Sequence, residues 1–329
     1  MTDETQRADQ IEGAPHPRET RQIFGHDAAE ATVLQAFADK RLHHAWLLTG
    51  PAGIGKATLA WSMARFLIAT PDPGNTGLFG PTSLPDNLGI EPDHPVARRV
   101  LAGSEPNLAS VRRGPNEKTG RLRDEIVVDD IRALHRFFGL SAPDGGRRVV
   151  IVDAADEMNV SAANALLKML EEPPDRTTLL LVSHQPSRLL PTIRSRCRTL
   201  RLAPLGPEDM RAALDEAGAA SLSEIEAAHL AVLSSGSVGM ALRLLALDGL
   251  ETYGELMGLL GTLPRLDRPR ARALADKVAA RGAGERLDLL LLLTDIALSR
   301  LARTGATGAL PGPEATRGEA EILVRLAET

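Results

Sequence analysis

The sequence predicts an α/β domain built on a mostly parallel sheet, followed by an all-helical C-terminal part. Three observations predict it. Ala45–Thr49 is a short apolar run, residues 50–55 are a glycine-rich turn, and Leu59, Met63, Phe66 and Leu67 then recur at helical spacing, which reads as strand, loop and helix. Two further apolar strands, Arg148–Asp153 and residues 178–183, alternate with helical segments between Arg21 and about Ala203, as right-handed crossovers in a parallel sheet require. From residue 207 onward only helical periodicity remains.

The first strand–loop–helix unit carries the pattern G-x-x-x-x-G-K-[ST] with one defect. Gly50, Gly53, Gly55 and Lys56 are present, but Ala57 stands where a hydroxyl belongs. In this motif backbone N–H groups wrap phosphates, the lysine neutralises them and the Ser/Thr ligates Mg²⁺. Thr58 comes one place late, and one residue on a helix turns a side chain by roughly 100°. The loop is expected to cradle phosphate and to have lost a metal ligand.

Arg148–Asp153 ends in an acid where such proteins hold Mg²⁺. Active ATPases of the AAA+ kind follow that Asp with a Glu that activates water; here Ala154 follows Asp153. Alone, Asp153 also reads as a strand-capping carboxylate, and Asp156-Glu157 read as helix-entry residues. Further on, Ser161 reads as a helix N-cap, and Ala162, Ala165, Leu166, Met169 and Leu170 form an apolar stripe with Lys168 and Glu172 outward. Pro173-Pro174 stops that helix. Ser183 and His184, at the next strand end, are the polar candidates for sensing a γ-phosphate, against the plainer reading of ordinary strand-end residues.

Composition narrows the function. A chain of 329 residues suits two or three domains. No apolar run has the length of a membrane span, and the polar residues 1–20 read as a disordered tail rather than a signal peptide. The single cysteine excludes an internal disulfide and suits a reducing, cytoplasmic setting. A net charge of −5 and 3% aromatic residues speak against a self-sufficient nucleic-acid binder. Residues 71–124, rich in Pro, Gly, Asn and Asp, read as a partly ordered loop insertion.

The run Ser161-Ala162-Ala163-Asn164-Ala165-Leu166-Leu167-Lys168-Met169-Leu170-Glu171-Glu172-Pro173-Pro174, then Leu189-Leu190-Pro191-Thr192-Ile193-Arg194-Ser195-Arg196-Cys197, resembles the clamp-loader subunits of bacterial DNA polymerase III, and most of all their delta-prime branch. Arg41-Leu42-His43-His44-Ala45-Trp46-Leu47-Leu48 and Ile126-Val127-Val128-Asp129-Asp130-Ile131-Arg132 add to the likeness, which covers about residues 21–203. Many relatives hold zinc with four cysteines between the two nucleotide motifs. This chain has none there, so no zinc is expected.

The resemblance implies an AAA+ P-loop domain over 21–203, a helical lid over 204–247 and a helical collar over 248–329. It implies that Arg196 points into a neighbour's ATP site, against the plainer reading of a surface or nucleic-acid-facing arginine beside Arg194, Arg198 and Arg201. Cys197 is then a small buried hydrophobe. Motor subunits carry an arginine in a Gly-Ser-x-Arg lid segment, where this chain has Gly236-Ser237-Val238-Gly239, with Ser237 as helix cap. Leu287, Leu290, Leu291, Thr294, Ile296 and Leu298 lie on a helix apolar enough to be buried, in its own bundle or against other subunits. A Gly/Pro-rich break over 305–318 and a short helix Glu319–Ala327 follow.

The expected function is a stator (delta-prime) subunit of a hetero-oligomeric clamp loader, part of the DNA-directed DNA polymerase holoenzyme, without ATPase activity of its own. Its expected partners are the gamma/tau and delta subunits, with the sliding clamp and primed DNA met through the complex. Gly50, Gly53, Gly55, Lys56, Thr58 and Asp153 would bind ATP weakly or not at all. Two alternatives stand beside it: an active motor in which Thr58 or water replaces the missing hydroxyl and Asp156 or Glu157 activates water, and a stand-alone primer-junction binder.

Overall fold

The computed structural model describes residues 9, 14–73, 85–116, 118–139, 146–219, 222–279, 284–310 and 312–328. They form two compact units, Met1–Pro204 and Leu205–Thr329.

In the first unit the elements run α1 (Asp27–Ala38), β1 (Ala45–Thr49), α2 (Lys56–Ala69), α3 (Pro95–Leu101), β2 (Leu108–Val111), α4 (Val128–Gly139), β3 (Arg148–Asp153), α5 (Val160–Glu171), β4 (Thr177–Ser183), α6 (Pro191–Arg194) and β5 (Arg198–Arg201). The strands pair in parallel in the order β2-β3-β4-β1-β5. Every residue of β1 and β4 is buried, as expected of parallel strands covered on both faces. Ala45 and Leu47 of β1, Val150 and Val152 of β3, and Leu179 and Leu181 of β4 pack with Ile131 and Leu134 of α4 and with Leu166, Met169 and Leu170 of α5. Side chains alternate along a strand, and α2 packs on β1, β3 and β4.

Register places the site. Thr49 lies opposite Ser183, and Asp153 opposite Val182, so three strands end together at the carboxyl edge, where ligands bind in open parallel sheets. The acid-bearing β3 is not next to β1; β4 runs between them.

Four expectations are corrected. Residues 71–124 are not merely a loop insertion: outside 74–84 and 117, which lie outside the described residues, they build α3 and the edge strand β2. Elements of seven and four residues are too short for periodicity to declare them. The cap of α5 is Asn159, whose side chain accepts from Ala162 N at 2.9 Å; Ser161 is already inside the helix. Within the stretch read as a tail, residues 1–8 and 10–13 lie outside the described residues, but His16 is 1% exposed, edge-on to Trp61 and 3.0 Å from Asp9. Finally, the helix Gly284–Thr307 of the second unit runs through Gly305, so the break begins later than residue 305.

The second unit holds α7 (Pro207–Glu216), α8 (Glu224–Ser234), α9 (Val238–Ala246), α10 (Gly249–Leu260), α11 (Arg268–Val278), α12 (Gly284–Thr307) and α13 (Glu319–Ala327). Pro207 opens α7, Ser223 and Glu226 form a reciprocal capping box on α8, and Ser237 caps α9 through Met240 N at 3.2 Å. Leu289, Leu293 and Ala297 of α12 are buried, whereas Leu287, Leu291 and Leu298 are 45%, 57% and 50% exposed. The leucines read as buried are therefore, within this chain, largely the outward ones. Glu319 at the start of α13 is fully buried and accepts from Tyr253 OH at 2.6 Å and Arg300 Nε at 2.6 Å. No single helix among the described residues is long and apolar enough to cross a membrane.

Candidate functional site

The loop between β1 and α2 is shaped by its glycines. Gly50 has φ +146°, and a Cβ there would lie 2.6 Å from Leu202 O and 2.7 Å from the Ile54 side chain. Gly53 and Gly55 have φ +74° and +94°, a region that side chains rarely tolerate. His26 braces the loop from outside, its Nε2 2.6 Å from Ile54 O. No spacing in the sequence links residues 28 apart, so this support was not legible there.

Lys56 opens α2 and is 3% exposed. Its Nζ donates to Gly50 O at 2.8 Å and also to Pro51 O, so the loop's own carbonyls hold the ammonium. Burial lowers the lysine from its ordinary value to about 8, while Asp153 and Asp156 pull the other way. Thr58 lies in the first turn of α2, two residues past Lys56. Asp153 ends β3; burial raises its carboxyl to about 7, reinforced by Asp9 and Glu157 and opposed by Lys56. Gly50, Gly53, Gly55, Lys56, Thr58 and Asp153 are thus gathered at one edge of the sheet.

The remaining acids are engaged. Asp156 is 8% exposed and accepts from His184 N at 2.9 Å and Gln185 N at 3.0 Å. Burial pushes its carboxyl up, but these bonds outweigh it and hold the group below the usual range. Asp156 therefore clasps the end of β4. Glu157 pairs with Arg113 Nε at 2.8 Å, and Ile126 stitches this turn in place through Glu157 O and Asn159 N. Burial lowers His184 from its ordinary value, and Lys56 adds to that.

These residues fit a phosphate cradle but not a hydrolytic Mg²⁺ site. Ala57 and Ala154 occupy the positions of the metal-ligating hydroxyl and the water-activating carboxylate, and Asp156 and Glu157 are committed elsewhere.

Arg196 belongs to a different segment. Leu189 and Ile193 are buried and Cys197 packs against the same core, so an apolar residue every fourth position pins the chain from α6 into β5. Arg196 Nη1 donates to Thr192 O at 3.0 Å, and Nη2 lies 2.8 Å from Glu171 Oε1. The side chain is 36% exposed. Arg194, Arg198 and Arg201 are exposed, with Arg198 4.9 Å above the ring of Trp46. Burial pushes the Cys197 thiol up to about 12, which leaves it inert as a nucleophile. In the helical unit, Gly239 is buried in α9.

Residues 25–206 match the family described as "DNA polymerase III, delta subunit". The chain belongs to this family. It is 44% identical over 154 residues to "DNA polymerase III subunit delta'" of Pseudomonas aeruginosa, covering 47% of this chain and 41% of the relative. It is 34% identical over 170 residues to the delta' subunit of Bacillus subtilis, covering 51% and 44%. A "DNA polymerase III subunit gamma/tau" of Mycobacterium bovis is 28% identical over 291 residues, covering 82% of this chain and 45% of the relative. The matches thus span less than half the length of each of these three relatives. They bear out the delta-prime resemblance carried by the motifs, and they make the chain a clamp-loader family subunit.

Proposed function

We propose that this delta-family chain is the stator, or delta-prime, subunit of a clamp loader. It turns over no ATP itself and supplies Arg196 to the ATP site of an adjoining gamma/tau subunit. One observation carries the reading: beside Lys56 and Asp153, the metal-ligating hydroxyl and the water-activating carboxylate are missing, at Ala57 and Ala154, and the acids that could stand in for the carboxylate, Asp156 and Glu157, are already engaged. The active-motor alternative needs those same carboxylates free. An arginine supplied in trans stabilises charge developing during phosphoryl transfer, and the braced, part-exposed guanidinium of Arg196 suits that task.

On this reading the chain works in the cytoplasm as part of a hetero-oligomer with gamma/tau and delta, which opens the sliding clamp and sets it on primed DNA. Gly50, Gly53, Gly55, Lys56, Thr58 and Asp153 retain weak nucleotide binding at most, and no zinc takes part. Steady-state phosphate release by the isolated full chain tests the first half. The expected rate equals that of a Lys56→Ala control; robust turnover that Lys56→Ala abolishes contradicts it.

A further inference from the structure

We propose that Glu171 is a positioning residue for Arg196, holding the guanidinium in the orientation in which it meets a neighbouring subunit's nucleotide. This rests on the trans role proposed for Arg196 and adds a residue to it.

The argument starts from how Glu171 is placed. It is the last residue of α5, directly after the buried Met169 and Leu170. Pro173-Pro174 prevents the helix from continuing. The backbone at Glu171 is therefore anchored while its side chain remains 49% exposed. Arg196 approaches from the turn between α6 and β5, itself pinned by Ile193. Two separately anchored segments thus meet at a 2.8 Å ion pair.

A guanidinium is a rigid planar fork of five donors. Fixing it at one corner leaves rotation; fixing it at two sets its plane. Here Nη1 donates to Thr192 O and Nη2 sits in the ion pair with Glu171. The first bond is local, four residues apart, and the second reaches across to another helix. Without Glu171 the long side chain regains rotamer freedom, which must be lost again each time it engages. A group that acts only in the transition state then loses effectiveness in turnover rather than in substrate binding.

The test uses the full chain assembled with its cognate gamma/tau subunits, with ATP turnover read as separate kcat and KM. Glu171→Ala should lower kcat about fivefold, the upper end for a half-exposed ion pair, and leave KM for ATP within about twofold. Glu171→Gln, which keeps an acceptor but no charge, should fall between wild type and Glu171→Ala. Arg196→Ala should cost more, and the double variant should be no slower than Arg196→Ala alone. Thermal midpoint and co-elution with gamma/tau should not change, which separates positioning from folding and assembly. Wild-type kcat in Glu171→Ala, beside a defective Arg196→Ala, overturns the positioning role and leaves the trans arginine standing. Faster turnover in Glu171→Ala, or a double variant well below Arg196→Ala, also overturns it. No effect of Arg196→Ala overturns the trans reading itself.

Discussion

Replacing Asp153 with Asn should stabilise the first unit at about pH 8 and leave it unchanged at about pH 4. Burial, with Asp9 and Glu157 adding repulsion, lifts this carboxyl from 3.8 to about 7. Between those values the native chain holds a proton that the unfolded chain has released. The stability that this proton contributes therefore falls as pH rises across that window and is gone above about pH 7. At about 1.4 kcal/mol per tenfold, the interval corresponds to about 4 kcal/mol. Water reaching the partly open side chain reduces this to about 2 kcal/mol. Asn keeps the shape and never ionises, so its advantage grows through the same window. Urea denaturation followed by tryptophan fluorescence reads it directly, because both tryptophans, Trp46 and Trp61, lie in the first unit. A gain of equal size at both pH values would refute the reasoning, since it would reflect packing rather than charge. A loss at about pH 8 would show that the carboxylate stabilises the fold.

Two further outcomes follow from the same geometry. Glu319→Ala strips acceptors from Tyr253, Arg300 and Ala315 N in a buried site and should cost about 3–5 kcal/mol, read as loss of helical circular dichroism in urea; a cost below about 1 kcal/mol contradicts it. Ala57→Thr restores the missing hydroxyl, yet should restore no phosphate release by the isolated chain, because Ala154 still follows Asp153. Appreciable turnover in that variant would mean that Glu157 or Asp156 leaves its partner to act as base.

The parts legible in the sequence were those with strong local signals. The glycine loop, the apolar runs inside strands β1, β3 and β4, the proline stop after α5 and the span of α13 all declare themselves within a few residues. What escaped depends on distant or degenerate information. His26 meets Ile54 only because the fold brings them together. Glu171 looks like one more outward acid on α5 until the turn between α6 and β5 delivers Arg196 beside it. Asn159 and Ser161 are both good caps, and backbone geometry rather than residue type chose the first. In α12, leucine occupies position 287 and each position from 289 to 293, so periodicity selects no face. Packing decides that Leu289 and Leu293 turn inward.

The central claim is that a chain with a disabled phosphate site activates its neighbour through Arg196. Its most direct test is ATP turnover by the full chain mixed with cognate gamma/tau and delta subunits, sliding clamp and primed DNA, comparing wild type with Arg196→Ala at matched assembly. The account predicts that wild type stimulates turnover and that Arg196→Ala removes the stimulation by about a thousandfold or more at the neighbouring site. Full stimulation by an assembled Arg196→Ala chain would contradict it.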